Sequence, residues 1–281
     1  EHVYEKEIET LGFTAPPLAD GRYHIYICDI EGRREYLGLT VTNTYYANYS
    51  AGSYLELDND YAGGNLRSGQ TVAEMLQVTM AHEFFHAIQF GLNWRYPSYW
   101  ALESTAVWME DYVYPSNNDY IARYLSGWFN STTTSLDHFS TGDTYAYGSS
   151  IFWRYVTEKI TGNQGMYDVW QLFKTDTQDC NISGCPAGSY EITEIPMVEQ
   201  FLSGKSTDLD TVFKNFAVAN YTKDYVDGTV SNFPNVALYP SEQNGGPVTS
   251  TSWNSGTFLM DHLATKYFQF EPASTGSDLR L

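Results

Sequence analysis

Between residues 21 and 60 apolar and polar positions alternate. RYHIYICDI, YLGLTVT and SYLELDND are rich in Tyr, Ile, Val and Thr and are separated by clusters of Gly, Asn and Asp, which is the pattern of short strands. From Thr71 the period becomes helical: Val72, Met75, Leu76, Thr79, Met80 and Phe84 recur on one face, with Ala87 and Ile88 beyond. A helix over 71–90 is predicted, ended by Gly91. The loop NWRYPS then leads to a second helix, about Tyr99 to Tyr112, that stops before Pro115. Residues 148–174 read as two helices broken at Gly162, and IPMVEQFLSG and LDTVFKNFAVANYT as two more. Beyond Phe233 come Pro, Gly, Ser and Thr, with TKYFQFEPAS and DLRL as β segments. Strands followed by helices predict an α+β fold. The expected organisation is one unit over 1–232, β-rich to about 98 and helical over about 99–232. A linker and C-terminal β segment over 233–281 would follow, the start of a further β domain.

Composition narrows the function classes. Apolar residues make up 42% and charged residues 17% of the 281 positions, as in a globular chain with a sizeable core. The balance of 34 acidic against 15 basic residues, net −19, argues against nucleic acid as a partner, because phosphate binding needs clustered Lys and Arg. No apolar run approaches the ~20 residues of a membrane helix. Cys180 and Cys185 flank the polar stretch NISG, where a disulfide would fit, whereas Cys28 sits in an apolar strand. A close pair in a polar loop points to an oxidising, extracellular compartment, with any signal peptide already removed.

The candidate chemistry lies in AHEFFHAIQF, residues 81–90. On a helix, residues four apart sit about 40° round and ~6 Å along the axis, so His82 and His86 can aim their imidazoles at one zinc ion. Glu83 is rotated by about 100° from His82, placed to reach a water beside the metal rather than the metal itself. Ordinary packing histidines would be the plain alternative, but Phe84, Phe85 and Ile88 already supply the apolar contacts. A catalytic zinc takes three protein ligands, and Gln89 and Leu92 stand where a nearby third histidine would be marked. The next candidate is WALESTAVWMED, residues 100–111. Glu103 follows His86 by 17 positions, a helix-end, loop, helix distance. Glu110 lies two turns further on the same face, to accept the free N–H of a liganding histidine, with Asp111 as its substitute. Ser104 and Ala106 would let the two helices approach closely.

These residues carry a resemblance. HEFFH followed by Trp100, Glu103, Ala106 and Glu110 is similar to the gluzincin zinc peptidases, the superfamily of thermolysin and the zinc aminopeptidases, whose second motif typically reads Trp-Leu-Asn-Glu-Gly-Phe-Ala-x-x-x-Glu. The run from AHEFFHAIQF through WMEDYVYP to YAYGSSIFWRYV also resembles secreted bacterial proteins predicted to be metalloproteases. The likeness covers about residues 20–225 and is specific only within 81–111 and 145–155. Two departures stand out: the 16-residue spacer between His86 and Glu103 is slightly short, and the aminopeptidase Gly-x-Met-Glu-Asn strand is absent, GSYLELDND occupying its place.

The resemblance implies a two-lobed, thermolysin-like fold with one zinc held by His82, His86 and Glu103, and Glu83 as general base. It also implies a catalytic tyrosine opening a Tyr-x-x-Gly run, which Tyr145 to Gly148 fits, with Tyr147 the nearest rival and His138 a patternless third. SYLELD would bind an extended polypeptide by edge pairing, as an endopeptidase requires. A zinc exopeptidase or small-substrate hydrolase, and a non-catalytic zinc-containing surface module, would share these residues. Asp58, Asn59 and Asp60 offer oxygen ligands for Ca2+, without the loop grammar of a calcium site.

Overall fold

Thr71 starts the long helix for a local reason. Its hydroxyl accepts the Glu74 backbone N–H while the Glu74 carboxylate accepts the Thr71 N–H, a reciprocal cap that satisfies two otherwise orphaned donors. The computed structural model describes residues 1–18, 20–30, 36–62, 65–67, 69–95, 98–140, 142–175, 194–225, 242–248 and 260–272. In it a short helix α1 (His2–Tyr4) runs directly into a π-helical turn, Glu5–Thr10. Strands β1 (Ile25–Cys28), β2 (Gly38–Tyr45) and β3 (Ala51–Asp58) follow, then helices α2 (Val72–Asn93) and α3 (Tyr99–Val113). Beyond them lie a π-helical turn (Ile121–Leu125) continuing into α4 (Ser126–Asn130), then α5 (Tyr145–Gly148), α6 (Ser150–Val156) with its π-helical extension Thr157–Thr161, α7 (Gln164–Phe173), α8 (Glu194–Ser203) and α9 (Leu209–Thr222). Strands β4 (Glu242–Val248) and β5 (Tyr267–Pro272) pair in parallel. The architecture is α+β, with the break at Gly162 (φ 69°) where expected.

The three-stranded sheet is mixed and ordered β1-β3-β2. β1 runs parallel to β3 with Ile25 opposite Leu55; β2 runs antiparallel with Gly38 opposite Leu57. Leu55 and Leu57 on one face of β3 are buried while Tyr54 and Glu56 on the other are half-buried, the two-residue period of a sheet with one covered face. The covering element is α2. Because β3 is hydrogen-bonded on both sides, SYLELD has no open edge for a peptide; that expectation is corrected. Among the described residues β2 pairs only with β3, so the open edge beside α2 belongs to β2.

α2 is buried over most of its length, Ala81 to Gln89 without interruption, because the sheet covers one side and helices the others. Phe85 meets Phe13 and Trp170 edge-on. Four buried tryptophans bind the helical part together, each donating its indole N–H to a hydroxyl: Trp100 to Ser149, Trp108 to Thr157, Trp153 to Ser104 and Trp170 to Thr105. An unpaired indole N–H at such depth costs about 1–3 kcal/mol, so these pairs fix which face of α3 looks where. Ser104 therefore turns towards α6, not α2, and Thr105 is the residue that meets α2. Residues 260–267 return to the helical part: the Leu136 N–H donates to the Leu263 carbonyl, and the Tyr267 hydroxyl to the Ala217 carbonyl. Cys180, Cys185, the boundary expected at 232 and DLRL lie outside the described residues.

One buried group runs against the rest. Glu7 is fully buried, and among the described residues neither carboxyl oxygen has a hydrogen-bond partner. Burial raises its pKa well above the ordinary value, with the nearby His82 charge pulling the other way, and Tyr112 and Tyr114 feel its charge. The unfolded chain releases this proton first, near pH ~4.3. As pH rises above that value the folded state is therefore progressively penalised, up to its own raised pKa. Glu7→Met should stabilise the fold by about 1–3 kcal/mol at pH 8, the cost of a buried polar group left unsatisfied, and by less at pH 5, read as the shift in urea midpoint at each pH. A larger gain at pH 5 would contradict this account.

Candidate metal and active site

Helix periodicity brings His82, His86 and Gln89 to the side of α2 that faces α3. The Nε2 atoms of His82 and His86 both point at one oxygen of Glu103, at 3.1 and 3.4 Å. One ligand atom from each of these three residues lies within 4.8 Å of the others, the one such group among the described residues. Both imidazoles are held from behind. His82 Nδ1 donates to Glu110 at 2.7 Å, and His86 Nδ1 donates to the Gln89 side-chain oxygen at 2.6 Å. Gln89 is itself fixed by donating to the Leu102 carbonyl and the Thr105 hydroxyl. Acceptors at both Nδ1 atoms leave the Nε2 lone pairs for a metal. Asp111 faces elsewhere, paired with Arg154.

The electrostatics follow from burial and proximity. Glu103, though half-buried and so partly desolvated, is held well below the usual carboxylate range by His86 and His82. Burial would lower both histidines, but Glu103, with Glu110 at His82, raises them above their ordinary value. Burial raises Glu110 to about 7 against the pull of its His82 bond. Two imidazoles and one carboxylate converging at this spacing fit a divalent cation such as zinc, which would take the place of the protons the rings otherwise share with Glu103.

Glu83 keeps clear of this convergence. Its Oε2 and its backbone carbonyl are each 2.7 Å from the Thr40 hydroxyl on β2. Gly38 makes the approach possible: a Cβ there would sit 2.7 Å from Glu83 Cγ and 2.6 Å from Thr79 Cγ2. Of the three converging residues His82 lines a cleft of about 400 Å³, together with Glu83, Glu110, Leu37, Gly38, Thr79, Tyr124 and Tyr147.

Of the two tyrosines, Tyr147 is the one beside the cluster. Its ring stacks on His82 (5.9 Å, 11°) and packs against Tyr124. Burial, then the Glu103 charge, push its pKa up, so it remains a protonated donor. Tyr145 is not brought to the cluster. Its hydroxyl donates to the Thr134 carbonyl at 2.9 Å, and with His138 it lines a separate pocket of about 220 Å³. Asp58 is committed to the backbone, accepting the N–H groups of Ile30, Asp60 and Tyr61, so its oxygens brace a turn.

Gln89, Thr40 and Gly38 were not foreseen as parts of the site. Gln89 carried a signal, as a polar residue one turn after His86 within an apolar run; Thr40 and Gly38, over forty positions away, carried none. No protein-family model, curated protein or solved structure matches this chain.

Proposed function

We propose that the protein is a secreted zinc-dependent endopeptidase of gluzincin type, with His82, His86 and Glu103 as ligands and Glu83 as general base. The observation that supports this most is the pairing of converging Nε2 atoms with two acceptor-held Nδ1 atoms. When bound, zinc supplies a Lewis acid that lowers the pKa of water and polarises a peptide carbonyl. The rest belongs to the chain. The open edge of β2 pairs with an extended polypeptide and lays its carbonyl over the cluster. Glu83 takes a proton from the attacking water and passes it to the leaving nitrogen. Tyr147, rather than Tyr145, donates to the oxygen on which negative charge develops.

The test is direct. Zinc-loaded protein should bind about one ion per chain and cut unfolded casein at internal bonds, stop after chelation and resume on adding zinc. Terminal trimming alone would favour an exopeptidase, and no cleavage with zinc bound a binding module. Tyr147→Phe should lower kcat by about 10²–10³-fold, the effect of losing one oxyanion donor, while Tyr145→Phe stays within a few-fold of the parent. Steady-state kinetics at equal zinc content checks this, and the reverse order would restore Tyr145 to the site.

A further inference from the structure

The cleft beside the metal cluster contains a cation that the proposed peptide chemistry does not use. Arg123 lines the same cavity as His82 and Glu83. Its Nε donates to Asp119 at 2.8 Å, and its Nη2 donates to the Asn65 carbonyl at 2.7 Å and meets the Met75 sulfur. Among the described residues Nη1 has no hydrogen-bond partner. A guanidinium presents five donors, so this fixing of one side orients the remainder rather than consuming it.

Its counter-ion is already shared. Asp119, 1% exposed, also accepts Arg67 Nε and Gln70 Nε2 on the oxygen that Arg123 Nε does not use, so two guanidiniums meet one carboxylate. The trio carries one positive charge in excess. The other acids of the cavity have partners of their own, Glu83 with Thr40, Glu110 with His82, Asp143 with His138 and the Tyr145 N–H, although the Glu110 charge also reaches Arg123. Arg123 is the one Lys or Arg among the described residues that line this cleft, in a chain of net charge −19. Leu37, Met75 and Val78 flank it, an apolar passage suited to methylene groups.

Resting on the peptidase reading, we propose that Arg123 recognises a carboxylate of the substrate next to the scissile bond. Two sources present that group: the side chain of a glutamate, its stem along Leu37, Met75 and Val78, or the α-carboxylate of a peptide that ends there. A bidentate or charge-assisted contact to a planar carboxylate is what a pre-oriented guanidinium does best.

The probes are peptides of one sequence, acetylated and amidated, carrying Glu, Gln, Leu or Lys beside the cleaved bond, plus a version with a free C-terminus at that point. The expected kcat/KM for Glu, or for the free acid over its amide, exceeds the uncharged counterpart by at least about tenfold. Whichever arm shows the preference names the source. The ratio should fall towards one in Arg123→Gln and persist in part in Arg123→Lys, which keeps the charge and loses the fork. Titrating the Glu and Gln peptides, and the free acid and its amide, into zinc-loaded Glu83→Gln protein reads the same preference without turnover, whatever happens to folding of the Arg123 variants. Cleavage that prefers Leu or Gln, with no advantage for the free acid, overturns the carboxylate inference and leaves the peptidase standing. Absence of any cleavage, of casein or peptides, fails the peptidase reading instead, and the titration then decides whether the pocket takes a carboxylate.

Discussion

Glu83→Gln is expected to retain its zinc and lose its turnover. Glu83 sits between the two histidines in sequence but about 100° from His82 around α2, and its Oε2 rests on the Thr40 hydroxyl rather than on the converging Nε2 atoms. The amide is the same size, and its oxygen can still accept from Thr40, so the β2–α2 approach at Gly38 is undisturbed. What disappears is a group able to take a proton. General-base loss costs about 10²–10⁴-fold, and the fall should appear in kcat with zinc per chain unchanged by metal analysis. Two results would sink the assignment: turnover equal to the parent, or loss of zinc, which would make Glu83 a ligand.

The elements that could be read directly were those whose residues face one environment throughout. α3, expected over about 99–112, spans Tyr99–Val113; α9 spans Leu209–Thr222, the stretch identified from its spacing. α2 continued past Gly91 to Asn93, because this glycine does not terminate a helix. A Cβ at 91 would lie 2.9 Å from Pro17 Cδ, so its smallness admits the N-terminal loop. The helical stretch from His2 to Thr10 was hidden by Glu7, which occupies the middle of the buried stripe Val3, Glu7, Leu11 and breaks the apolar period there. The site divides in the same way. His82, His86, Glu103 and Glu110 come together through spacing within two adjacent helices, which sequence can express. Tyr145 and Tyr147 lie about 200° apart around one helical turn, so the same Tyr-rich run points one ring at the cluster and the other at Thr134. Only packing of that turn against Trp128 and Tyr124 selects between them. β2 reaches the site through a sheet order that no local pattern encodes.

Glu103→Gln should separate a ligand from a bystander, and Glu110→Gln supplies the scale. Losing an outer partner of a liganding histidine typically costs 10–100-fold in metal affinity, which is the effect expected at Glu110, bonded to His82 Nδ1. Glu103 meets both Nε2 atoms, and its amide would leave two neutral imidazoles with no anionic third donor. Zinc affinity should then drop by more than about 100-fold, beyond the outer-partner range, measured by competition with a chromophoric chelator. Proteolysis should fall with zinc occupancy and fail to recover fully in excess zinc, because the remaining ligands neither fix the ion nor balance its charge. An affinity loss at Glu103 no larger than at Glu110 would mean that the third donor is elsewhere and that this carboxylate only neutralises two histidines.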